Sequence, residues 1–91
     1  MAVWGLDVQQ VRTLSTQLNQ KAEEIEGILS TLTNTLGGTQ WEGPDATAFR
    51  NEWSSTHTHS LRTVITALRD ASSKASQNAA AQENVSNTPN G

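Results

Sequence analysis

Apolar residues in the first half of the chain recur at a spacing close to the 3.5 residues of a coiled-coil seam. Polar Gln, Thr, Glu and Lys residues occupy most of the intervening positions. This pattern predicts an amphipathic helix over about 7–36, with Asp7 as its N-cap. The stripe consists of Val8, Val11, Leu14, Leu18, Ala22, Ile25, Leu29, Leu32 and Leu36.

A second apolar stripe with similar spacing follows Pro44 and predicts a helix over about 44–82. Proline suits the first position of a helix, and the pair Gly37–Gly38 is expected to end the first helix in a left-handed cap. The stripe consists of Ala46, Phe49, Trp53, His57, Leu61, Val64, Leu68, Ala71, Ala75 and Ala79. The turn is therefore expected at 37–43, and residues 83–91 are expected to be a flexible tail.

Two long helices joined by a short turn must lie antiparallel, so residues 1–82 are expected to be a helical hairpin. If the chain turns back at 37–43, Gly27 lies opposite Trp53, and we expect this glycine to make room for the indole. Hydrophobic residues are only 34% of the chain, and ten of them are alanines, so one hairpin has little core of its own.

The predicted fold class is thus all-α: an antiparallel helix-turn-helix hairpin that pairs into a four-helix bundle dimer. The residues expected to form the core within and between hairpins are Val11, Leu14, Leu18, Ile25, Leu29, Leu32, Phe49, Trp53, Leu61, Val64 and Leu68.

Composition and motifs argue against several classes of function. Nine acids against six bases do not provide the basic surface that nucleic acid binding needs. The chain has no cysteine, and His57 and His59 point to nearly opposite sides of a helix, so no metal site is expected. No nucleophile motif or phosphate-binding loop is present, which predicts a protein that is not an enzyme and needs no cofactor.

The connector and the start of the second helix contain a recognisable motif, Trp41-Glu42-Gly43. It lies midway along the chain, between the two stripes, and Ala46, Phe49 and Trp53 follow it at helical spacing. In length, helix pattern and motif the chain resembles the WXG family, the small ESAT-like proteins exported by type VII secretion systems. The resemblance extends over nearly the whole chain.

The resemblance implies a hairpin that is secreted as a folded homodimer or heterodimer through a membrane complex with an FtsK/SpoIIIE-like ATPase. The partner would be a sister WXG protein, a second copy or a larger helical substrate. Trp41 and Gly43 would form the packed turn and also part of an export signal. Family members often have a Tyr-x-x-x-Asp/Glu signal after the second helix, but this chain has no tyrosine. A heterodimer whose partner supplies that signal is therefore favoured over a homodimer.

The expected function is that of a small type VII secretion substrate and co-export partner that acts through helix–helix dimerisation. The N-terminus lacks the basic and apolar regions of a signal peptide, so we expect secretion without a cleavable signal, after a cytoplasmic stage. One alternative is a cytosolic adaptor or chaperone for a larger helical substrate. Another is a membrane-active secreted effector, although six basic residues do not favour binding to anionic lipid.

Overall fold

The computed structural model describes residues 6–87, with side chains up to residue 84. Its elements are α1 (Val8–Gly38), α2 (Pro44–Glu52), a π-helical turn (Trp53–His57) and α3 (Thr58–Asn87). The last three are continuous and form the return arm of a hairpin with extents of 70 × 17 × 15 Å. No strand occurs among the described residues. The prediction of an all-α helical hairpin is confirmed.

Both helical arms extend beyond their predicted ends. The first begins where predicted, since the Asp7 carboxylate accepts a hydrogen bond from the backbone N–H of Gln10 at 3.0 Å, but it continues to Gly38 instead of residue 36. The return arm continues to Asn87 instead of residue 82. Near its end, Glu83 pairs with Arg12 of α1 at 2.8 Å, which favours helix in this part of the predicted tail. Residues 88–91 of that tail lie outside the described residues.

The end of α1 does not use the predicted left-handed glycine cap. Neither Gly37 nor Gly38 has a positive φ, so that prediction was wrong. The guanidinium of Arg50 instead donates to the carbonyl oxygens of Leu36 at 3.3 Å, Thr39 at 3.0 Å and Trp41 at 2.7 Å. A cation at this position satisfies free carbonyls and complements the negative end of the helix dipole.

The π turn adds one residue to the return arm. The backbone N–H of Thr58 bonds to the carbonyl of Trp53, five residues earlier, and the Thr58 hydroxyl donates to the same oxygen at 2.6 Å. The Ser55 hydroxyl donates to the carbonyl of Asn51 at 2.7 Å. These hydroxyls donate hydrogen bonds to carbonyl oxygens at the point where the regular α-helical hydrogen bonding is interrupted. Beyond the turn, Ile65 and Ser72 face α1 in place of the predicted Val64 and Ala71, whereas Leu61, Leu68, Ala75 and Ala79 face it as predicted.

The core lies between α1 and α3, where Ala22, Leu29 and Ile65 are buried. Partly buried residues pack around these three: Ile25, Trp53, Leu61 and Leu68. Trp53 lies beside Thr33, six residues further along α1 than the predicted Gly27. A Cβ atom on Gly27 would meet nothing within 4 Å, so the prediction that this glycine accommodates the indole was wrong. The register differs because α1 continues past its predicted end and the chain turns back later.

Candidate interaction surface

One edge of the hairpin is polar and is bridged from arm to arm by side chains. Arg12 donates to Glu83 at 2.8 Å, and Arg69 forms a second charged pair with Glu26. At the loop end, the Thr33 hydroxyl of this edge accepts a hydrogen bond at 3.0 Å from the indole N–H of Trp53, whose ring packs against the core. We call this edge the polar edge. Its charged side chains have partners within the hairpin.

The opposite edge exposes large apolar side chains. Their exposed fractions lie between 44% and 56%: Leu14, Ile28, Leu32, Phe49 and Val64. We call this set the apolar face. Leu14 and Ile28 each lie two residues after a member of the polar edge, about 200° around the helix. Val64 lies five residues before Arg69, about 140° around α3. The two edges are thus chemically different sides of one two-helix layer.

The apolar face ends in a notch near the turn, with a volume of about 280 Å³. It is lined by Leu32, Thr35, Leu36, Thr39, Phe49 and Trp53. Trp41 packs against Phe49 beside it, with ring centroids 5.4 Å apart and planes tilted by 54°. We call this feature the apolar notch. It is large enough to accept an aromatic ring, since a cavity of about 150 Å³ binds benzene.

The Trp-x-Gly turn has a defined geometry. Gly43 is the N-cap of α2 with φ 116° and ψ 178°, a region open to glycine and strained for other residues. Its carbonyl accepts the backbone N–H of Thr47 at 3.0 Å, which starts the helix. Trp41 is 39% exposed and its carbonyl is held by Arg50. The turn therefore fixes the direction in which α2 leaves and holds Trp41 at the hairpin tip.

The predicted core residues divide into two groups in this structure. One group is buried or half-buried between the arms: Val11, Leu18, Ile25, Leu29, Trp53, Leu61 and Leu68. The other group, Leu14, Leu32, Phe49 and Val64, lies on the apolar face. Sequence reasoning missed Ser15, Ile65 and Ser72 in the core. Ser15, Ala22 and Leu29 are spaced seven residues apart, which indicates that Ser15 lies on the buried side of α1. Ser15 was not predicted in the core because it is polar.

Most titratable side chains of the described residues are exposed. His57 belongs to the predicted apolar stripe, but its side chain is exposed, and its Nε2 lies 3.8 Å from a Glu52 carboxylate oxygen. Within residues 6–87 no group of His, Cys, Asp or Glu is placed to hold a metal ion. No helix in this range is long and apolar enough to cross a membrane.

Comparison of the chain with protein-family models, curated proteins and solved structures found no match.

Proposed function

We propose that this chain is a non-enzymatic substrate and co-export partner of a type VII secretion system, and that it works by pairing its apolar face with another helical hairpin. The apolar face is the observation that supports this most strongly. Five large side chains, each about half exposed, lie on one edge of a layer only two helices thick. Exposed apolar side chains concentrated on one side of a soluble protein mark interaction sites.

The dimensions of the hairpin suit such a pairing. A side 70 Å long and 15–17 Å wide offers on the order of 1,000 Å², and a stable interface needs about 800 Å² from each partner. A second hairpin on the apolar face would complete a four-helix bundle. The polar edge, whose charges are already paired within the chain, would stay in water.

The turn supports the resemblance to the WXG family. Trp41 and Gly43 both have structural roles that depend on their identity: the indole packs on Phe49, and the glycine adopts a positive φ. In the proposal, this loop lies beside the partner's tail, and together they are recognised by the FtsK/SpoIIIE-like ATPase. The partner is a sister WXG-type protein, because this chain has no tyrosine to supply the usual tail signal.

A secretion assay with a pairing control tests this proposal. Deleting the partner gene should abolish export of this chain while it is still synthesised. Trp41→Ala should reduce export more than it weakens pairing, whereas Leu14→Asp should block both. Undiminished export in a strain without any other WXG-type protein would contradict the heterodimer. A purified chain that is a compact, cooperatively folded monomer and pairs with nothing at micromolar concentration would contradict pairing altogether.

A further inference from the structure

A lysine interrupts the apolar face midway along α1. Lys21 lies seven residues after Leu14 and seven before Ile28, so all three lie along one side of the helix. Its ammonium contacts Glu24 at 2.9 Å, but the two side chains are 67% and 57% exposed. Such exposed pairs contribute little, and the lysine is free to exchange its partner. A lysine at a single core position of a helical bundle is a device that specifies register and partner.

The apolar notch lies on the same side of the hairpin at a defined distance. Leu32 and Thr35, which line it, follow Lys21 by 11 and 14 residues, or about 16–21 Å along the helix. These spacings correspond closely to whole turns, so Lys21 and the notch face one docked helix. A helix lying along α1 would meet both features at once.

We propose that the apolar face selects a hairpin from a different chain, in which one helix carries a carboxylate opposite Lys21 and a large apolar side chain in the apolar notch. The two partner residues would be 11 or 14 positions apart on that helix. This inference rests on the proposed function, and it specifies the chemistry of the partner. Charge complementarity sets the register, and the notch supplies the buried anchor.

A second copy of this chain does not offer that pattern. The acids within its described helices are Glu23, Glu24, Glu26, Asp45, Glu52, Asp70 and Glu83. None has a Leu, Ile, Val, Phe or Trp of the same helix 11 or 14 residues away in either direction. If two copies of this chain paired, a helix that filled the notch would therefore have no acidic residue opposite Lys21.

Site-specific photocrosslinking in the cells that make the protein tests this inference. A photoreactive amino acid at Thr35 should capture a different protein, with the crosslink mapping within one turn of a large apolar residue. An Asp or Glu should lie 11 or 14 positions from that residue. Lys21→Glu should weaken binding of the purified partner about thirtyfold or more, because two acids then meet in the interface. Arg62→Glu is the matched control, because it makes the same change of charge at a position two residues before Val64. Arg62 lies on the side of the polar edge, so this variant should bind unchanged.

Exchanging the charges completes the test. Replacing the partner's acid with lysine should restore binding to the Lys21→Glu variant. Crosslinks to a second copy alone, a partner without the acid, or normal binding by Lys21→Glu would each overturn the inference. If Lys21→Glu binds normally while Leu14→Asp and Ile28→Asp abolish pairing, the inference fails and the proposed function stands. If none of the three changes affects pairing, both fail.

Discussion

Ser15 and Ser72 join the two arms through reciprocal hydrogen bonds. The Ser15 hydroxyl donates to the backbone carbonyl of Ser72 at 2.7 Å, and the Ser72 hydroxyl donates to the carbonyl of Ser15 at 2.7 Å. Ser15 is only 9% exposed, so this polar contact lies within the apolar seam. Small side chains at both positions let the backbones approach closely, and the hydrogen bonds favour one register of the arms.

Removing either hydroxyl should destabilise the hairpin. Ser15→Ala and Ser72→Ala should each lower the free energy of unfolding by about 0.5–1.5 kcal/mol, the usual net value of one hydrogen bond. Ser73→Ala, at the neighbouring exposed position, provides the control for helix propensity and should be neutral or slightly stabilising. Urea unfolding followed by circular dichroism measures all three. Equal stability of the Ser15 and Ser73 variants would show that the contact does not hold the arms together.

Two glycines should respond oppositely to the same substitution. Gly43→Ala should cost about 1–3 kcal/mol, because φ 116° with ψ 178° is strained for any residue with a Cβ. Gly27→Ala should stabilise by roughly 0.5–1 kcal/mol, since its Cβ would enter open space within a helix. Thermal unfolding of the two variants beside the wild type measures the difference. A Gly43→Ala variant as stable as the wild type would contradict the turn geometry.

Arg50 should be needed for the end of α1. Arg50→Gln removes the charge that serves three carbonyls, and because the side chain is half-buried we expect a loss of about 1–2 kcal/mol. Arg50→Lys should recover only part of it, since a single ammonium cannot reproduce the guanidinium fork. Arg62→Gln is the control and should stay within about 0.5 kcal/mol. Amide hydrogen exchange at residues 37–41 should accelerate in Arg50→Gln alone; unchanged exchange there would contradict the capping role.

The π turn should tolerate loss of its extra residue. Deleting Ser55 should convert Trp53–His57 into regular α-helix while Phe49, Trp53 and Ile65 keep their faces, because the turn contains one residue more than an α-helix needs. Deleting Ser76 is the control, since it rotates the residues after it by about 100° and turns Ala79 away from α1. Melting temperatures should separate the two. A Ser55 deletion as damaging as the Ser76 deletion would contradict this view of the turn.

The periodicity of the apolar residues was sufficient to predict the helical arms. An aspartate directly before the first residue of the stripe was sufficient to predict the N-cap at Asp7. The π turn was not predictable in this way, because the apolar stripe can be continued through Trp53 to Val64 without a visible break. Arg50 was missed because it caps a helix that ended twelve residues earlier, beyond the range of local capping rules. Ser15 and Ser72 were not predicted as core residues because their side chains are polar. The separation of the apolar face from the polar edge depends in part on the π turn, which leaves Val64 exposed and Ile65 buried, so it was evident only from the structure.

Side-chain footprinting of the hairpin in its complex tests whether the apolar face is the surface that pairs with the partner. Oxidative labelling should be compared between the free chain and the complex isolated from cells that export it. We expect strong protection of Leu14, Ile28, Leu32 and Phe49, with little change at Arg12, Arg69 and the rest of the polar edge. Labelling of the apolar face that is equal in both samples, or protection concentrated on the polar edge, would contradict it.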